Sequence, residues 1–89
     1  MIVEFDKSFL KSLKKIKDHD TQLKIQSVIL SLEKATSLKE ISGCKKLIGY
    51  KDYYRIRVGE YRMGFQKMGN RYILIILITH RKDIYKKFP

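Results

Sequence analysis

The chain has 89 residues, 44% of them hydrophobic, and a formal net charge of +11. That length excludes two independent cores, each of which would bury too little apolar surface, so residues 1–89 are expected to form one domain of marginal stability. The single Cys44 excludes an internal disulfide and reads as a small semi-buried hydrophobe, since no adjacent group would activate its thiol.

Glu4, Asp6 and Lys7 interrupt the start of the chain before a signal-type apolar stretch can develop. The longest apolar run, Tyr72 to Ile78, is far too short to span a bilayer. A cytoplasmic location without membrane contact is expected. Ile2 to Phe5 reads as a short opening strand, and Asp6 stands where a helix N-cap belongs. Phe9, Leu10, Leu13 and Ile16 then recur at helical spacing through about Lys17, with Lys7, Lys11, Lys14 and Lys15 on the solvated face. His19 falls in the following turn, and Asp20 is positioned to cap a second helix whose buried stripe is Ile25, Val28, Ile29, Leu32 and Ala35. Two amphipathic helices so closely linked form an antiparallel hairpin that needs a sheet to cover.

Thr36 to Cys44 reads as a loop, after which the periodicity changes from helix to strand. Tyr54, Ile56 and Val58 alternate with Tyr53, Arg55 and Arg57, and Gly59-Glu60 suits a type II′ hairpin turn. Tyr61, Met63 and Phe65 then alternate with Arg62, Gly64 and Gln66, and a second turn is expected at Gly69-Asn70. Tyr72 to Thr79 is apolar on both faces, the mark of a central strand, and Asp83 to Phe88 is a candidate for one last helical turn. The order implies an α+β fold of two layers: an N-terminal strand and helix hairpin packed on a mainly antiparallel four-stranded sheet, with a short C-terminal tail.

The charge is unevenly distributed. Residues 1–42 carry eight lysines against six acidic side chains, a net of +2; residues 43–89 carry twelve Lys or Arg against Asp52, Glu60 and Asp83, a net of +9. All five arginines (Arg55, Arg57, Arg62, Arg71 and Arg81) lie in the second half. Arginine suits bidentate phosphate contact and stacking on bases, so this distribution points to a polyanion partner.

The hairpin around Gly59-Glu60 sets Val58 opposite Tyr61, Ile56 opposite Met63 and Tyr54 opposite Phe65, one wholly apolar face. The same register sets Arg57 opposite Arg62 and Arg55 opposite Gly64 on the other face, and Arg81 is expected to project from that face just past the last strand. Like charges across a strand pair are destabilising, and no carboxylate is expected there to relieve them. Gly64 should leave a hole beside Arg55, a concave face where a ligand supplies the missing negative charge. Phosphate answers that description. It does not separate a binding module from an enzyme.

Cleaving RNA requires a base for the 2′-OH, cations for the developing phosphorane-like charge and an acid for the leaving oxygen. Arginine supplies the second function but does not release its proton in proteins. His80 and Tyr85, next to Arg81 at the end of the central strand, are the candidates for proton transfer. The histidines and carboxylates show no metal-ligand spacing, and no Gly-rich phosphate loop or nucleophile elbow is present.

Three segments carry a resemblance: Lys46-Leu47-Ile48-Gly49-Tyr50, the run from Asp52 to Arg62 (DYYRIRVGEYR), and Thr79-His80-Arg81-Lys82-Asp83-Ile84-Tyr85. Together they are similar to the RelE branch of the RelE/ParE toxin superfamily, whose element order the chain also resembles along nearly its whole length. The resemblance implies a metal-independent endoribonuclease, with no cofactor, that enters the ribosomal A site and cuts mRNA. It also implies silencing in a hetero-oligomer with a cognate acidic antitoxin. By position, Arg55, Arg57, Arg62, Arg81 and Tyr85 match the family's active-site positions, and His80 falls where several relatives have a histidine. Lys51, Arg71, Lys82 and Lys86 are expected to add RNA contacts. Familiar relatives carry lysine at the positions of Arg55 and Arg57, so a lysine-base mechanism is closed to this chain at those positions. A ParE-like inhibitor of DNA gyrase and a non-catalytic RNA-binding module are the alternatives.

Overall fold

In the computed structural model, which describes residues 1–89, nine short elements follow one another along the chain. Strand β1 (Ile2–Phe5) leads into helices α1 (Lys7–Lys14) and α2 (His19–Lys34), then a single 3-10 turn at Leu38–Glu40. Strands β2 (Cys44–Lys46), β3 (Tyr53–Val58), β4 (Tyr61–Met68) and β5 (Tyr72–His80) follow, and α3 (Ile84–Lys87) ends the fold. The sheet order is β1-β5-β4-β3-β2, with β1 parallel to β5 and every other neighbour antiparallel.

The α+β two-layer reading holds, but the sheet has five strands and not four. The missed strand is β2, which pairs Cys44, Lys45 and Lys46 with Ile56, Arg55 and Tyr54. Three residues are too few to show an alternation. The first helix is capped as expected, with the Asp6 carboxylate accepting from the Ser8 N–H at 3.0 Å. The second starts earlier than Asp20 suggests. Asp18 is its cap, accepting from the Thr21 N–H at 3.0 Å, so His19 belongs to the first turn of α2 and not to the connection. The first helix also ends at Lys14, short of Lys17.

Phe9, Ile25 and Leu32 from the helices meet Ile56, Val58, Met63, Phe65, Ile73, Ile75 and Ile78 from the sheet in one buried core. Leu10, expected on the buried stripe, is instead exposed. The β3–β4 register is the one that the alternation requires: Val58 opposite Tyr61, Ile56 opposite Met63, Tyr54 opposite Phe65, Arg57 opposite Arg62 and Arg55 opposite Gly64. Gly59 has φ +59 at the first turn position, as a type II′ turn demands.

The β4–β5 turn is one residue longer than expected, since Met68 faces Tyr72 and leaves Gly69 to Arg71 between them. Continued unchanged, that register would turn Arg81 away from the arginine face. A bulge intervenes: Phe65 faces Ile75 whereas Gly64 faces Leu77, so Ile76 is the extra residue and the parity is restored. Beyond the reach of the four-residue β1, serines of α1 satisfy the open edge of β5. The Ser8 hydroxyl donates to the Ile76 carbonyl at 2.6 Å, and the Ser12 hydroxyl accepts from the Ile78 N–H at 3.1 Å.

The sheet face away from the helices is not bare. Leu47, Ile84 and Phe88 form a second small core there, flanked by Tyr53, Ile76 and Leu77. The hole expected at Gly64 is filled: a Cβ at that position would meet the Phe88 ring at 2.7–2.8 Å. Gly64 is there so that an aromatic ring can lie on the strand.

Candidate nucleic-acid interface

Strand alternation and the Ile76 bulge together deliver three arginines to one place. Arg55, Arg62 and Arg81, with Lys82, Ile84 and Tyr85, line an open basin of about 340 Å³ on the sheet face away from α1 and α2. Helix α3 carries Tyr85 to its rim, 67% exposed, where the hydroxyl accepts a hydrogen bond from Arg55 Nε at 3.4 Å. Arg55 is braced from its other side by donating to the Gly43 carbonyl at 2.9 Å. Arg62 donates to the carbonyls of Gly59 and Tyr61, both at 2.9 Å, which ties it to its own hairpin turn.

One carboxylate does reach this face, contrary to expectation. Glu60, in the β3–β4 turn, pairs with Arg81 Nε at 2.7 Å, and its carbonyl accepts the Arg81 N–H at 2.8 Å. Both side chains are more than half exposed, so the pair orients Arg81 more than it stabilises the fold. The excess of cations remains. Arg62 is held below the ordinary arginine value, first by partial burial and then by the charges of Arg55, Arg57 and Arg81, opposed only by Glu60. It stays protonated at neutral pH, and the shift registers how crowded the guanidiniums are. Cys44, beneath them, has its thiol pushed up to about 11 by burial, which outweighs the positive charge of Arg55. That is the opposite of an activated nucleophile.

The other residues singled out in the sequence are scattered. Arg57 sits on the arginine face opposite Arg62, exposed, and outside the basin lining. His80 pairs with Tyr61 across the β4–β5 ladder and therefore faces the helices, where its ring meets the edge of Tyr61 at 6.0 Å. There it lines a separate groove with Lys11, Lys15 and Lys87. Its Nδ1 accepts from the Lys82 N–H at 3.2 Å, a local turn contact. The alternation of a strand made this readable, because neighbours such as His80 and Arg81 point to opposite faces. Lys86 is exposed on α3, and Lys51 lines a groove beside the loop of residues 47–51. Arg71 lies in the turn at the far end of β5, on the order of 25–30 Å of strand from the basin. No three of the histidine, cysteine and acidic side chains gather as metal ligands would.

Residues 3–85 match the family model of the ParE toxin of type II toxin–antitoxin systems. The chain is 40% identical over 90 residues to Toxin RelE3 of Methanocaldococcus jannaschii, covering all of both proteins. The chain belongs to the RelE-like type II toxins. Solved structures agree with this placement. The RelB-RelE antitoxin–toxin complex from Methanococcus jannaschii superimposes with a TM-score of 0.81 at 37% identity, covering 97% of this chain and 99% of that one. The archaeal RelE-RelB complex from Pyrococcus horikoshii gives a TM-score of 0.72 at 22% identity, over 93% and 97% of the two chains, a likeness of fold. In this RelE-like chain the basin is therefore built on the family's scaffold, with Arg55 and Arg62 as the cations that its strands supply. No helix of the fold is long and apolar enough to cross a membrane.

Proposed function

We propose that residues 1–89 act as one toxin domain, a cytoplasmic endoribonuclease that cuts mRNA on the ribosome. The observation that carries this reading is the convergence of Arg55, Arg62, Arg81 and Lys82 with Tyr85 in one open basin, with Glu60 as the one paired carboxylate. A phosphodiester in the basin would meet guanidiniums from three directions, suited to the charge that builds on its oxygens as the 2′-oxygen attacks. The Tyr85 hydroxyl is the basin's one hydroxyl and accepts a hydrogen bond from Arg55, and the surrounding arginines do not release their protons. Tyr85 is thus the proton-transfer group, and the arginines bind and stabilise the phosphate. His80, on the opposite sheet face, takes no part in this arrangement.

The partner in the cell is an acidic antitoxin that closes over the cationic face in a hetero-oligomer; the related toxins from Methanococcus jannaschii and Pyrococcus horikoshii were solved in complex with RelB. Residues 43–89, at a net +9, favour fast association with an anionic segment, so the on-rate should fall steeply with salt. Induced expression tests the function directly. Translation should stop, with new mRNA 5′ ends inside reading frames. The ParE description of the matching family model supports a second reading, inhibition of DNA gyrase. Growth arrest with intact mRNA and gyrase-dependent DNA breaks would select it.

A further inference from the structure

The loop after β2 belongs to no part of the basin, yet it lines a groove that shares Tyr85 with it. Leu47, buried in the second core, anchors one end, and its N–H donates to the Tyr53 carbonyl at 2.8 Å. Asp52 holds the other end, its carbonyl accepting from the Lys67 N–H at 2.8 Å. Between these ties the backbone bends through two left-handed residues, Gly49 at φ +84 and Asp52 at φ +66. The second is uncommon for a residue with a side chain and marks a loop held in shape by its surroundings. What the loop displays is apolar: Ile48 is 91% exposed and Tyr50 53%. The Tyr50 ring is steadied edge-on by Tyr53 at 6.4 Å, and Tyr53 by Phe88 at 5.7 Å.

Beside this loop lies a groove of about 310 Å³, lined by Lys45, Lys46, Ile48, Tyr50 and, on its far wall, Tyr85. The same Tyr85 lines the arginine basin, so its exposed ring is the wall shared by two cavities. Lys45 faces Arg55 across the β2–β3 ladder, which makes the cationic surface continuous from one cavity to the other. A chain with phosphate in the basin would pass over Tyr85 and place its neighbouring nucleotide in the groove. There aromatic and aliphatic surface is available to a base, and Lys45 to the next phosphate.

We propose that this groove is a second RNA subsite, in which Tyr50 and Ile48 receive the base of the nucleotide next to the cut phosphate while Lys45 holds its backbone. This rests on the nuclease reading for the meaning of the basin. The occupant is single-stranded RNA, because paired bases would keep their faces stacked on one another and out of reach.

The test is equilibrium binding of an RNA methylated at its 2′-hydroxyls, so that it cannot be cut, both free and loaded on ribosomes. Tyr50→Ala should weaken binding roughly 10-fold, within the range of one base–aromatic stack, whereas Tyr50→Phe keeps the ring and the affinity. Removing the base of that one nucleotide should cost the wild-type protein the same factor and cost Tyr50→Ala nothing further. Unchanged melting temperatures would exclude a folding defect. Wild-type affinity in Tyr50→Ala, or weakened binding of an acidic antitoxin peptide with RNA affinity intact, overturns the proposal. Because binding is read without cleavage, the two readings fail separately. Tyr50-dependent binding by a protein that cuts nothing sinks the nuclease, and cleavage indifferent to Tyr50 sinks the subsite.

Discussion

The Arg57→Gln substitution removes one of two guanidiniums that face each other across the β3–β4 ladder. Arg57 is exposed, and the crowding it contributes to is felt by Arg62, whose proton affinity is lowered by burial and by the charges of Arg55, Arg57 and Arg81. Relief of one like-charged cross-strand pair is worth about 0.2–1 kcal/mol. In a domain of this size that corresponds to a rise in melting temperature of about 1–8 °C. The gain should be largest at low ionic strength and shrink in about 1 M salt, where screening acts over about 3 Å. Arg62→Gln offers a control with an opposing loss, because Arg62 also donates to the Gly59 and Tyr61 carbonyls at 2.9 Å. Each such bond contributes about 0.5–1.5 kcal/mol, so that variant should gain little or nothing. Both should lose toxicity. Thermal unfolding by circular dichroism at two salt concentrations decides the matter. A fall of more than about 1 kcal/mol in Arg57→Gln, or a gain that ignores salt, would refute the claim that the arginine face is held against its own repulsion.

Tyr85→Phe should lower the single-turnover cleavage rate roughly 10²–10⁴-fold with RNA still bound, whereas His80→Gln should stay within a few-fold of wild type. The reverse pattern would move the proton-transfer role to the helix side of the sheet. Gly64→Ala forces the Phe88 ring off the strand and should destabilise the fold by about 1–3 kcal/mol in urea unfolding, a cost that shrinks when Phe88→Ala is already present. Asp6 and Asp18 are held below the usual carboxylate range by hydrogen bonds from Ser8 and Thr21. Their contribution is complete above the ordinary carboxylate pKa and is lost as pH falls through the depressed folded values. Replacing both by Asn, which caps without titrating, should therefore flatten the acid side of the melting-temperature profile.

What the sequence made legible was whatever two residues could decide. A Gly-X pair fixed the β3–β4 register, and with it the meeting of Arg57 and Arg62. The features that escaped depend on contacts distant along the chain. Strand β2 is too short to show a period, and the bulge at Ile76 has no marker of its own within an unbroken apolar run. The filling of the Gly64 hole required knowing that α3 turns back across the sheet. Two signals of that were available: a glycine inside an alternating strand, and Ile84 and Phe88 one helical turn apart in a tail otherwise rich in lysine.

That missed contact changes the physical account of the site. With a bare Gly64, the arginine face would be a concave surface waiting for its ligand. With Phe88 lying on the strand, the same short helix that buries Ile84 and Phe88 also lifts Tyr85 to the rim beside Arg55. The tail is therefore both a structural lid on the sheet and the carrier of the basin's one hydroxyl. Loosening α3 should disturb Tyr85 while leaving Arg62 and Arg81 in place, since those are tied to the β3–β4 turn through Gly59, Tyr61 and Glu60. On the proposed nuclease reading, binding of phosphate and transfer of the proton would thus be supported by different parts of the chain. An antitoxin that displaced the tail would silence the second without dismantling the first.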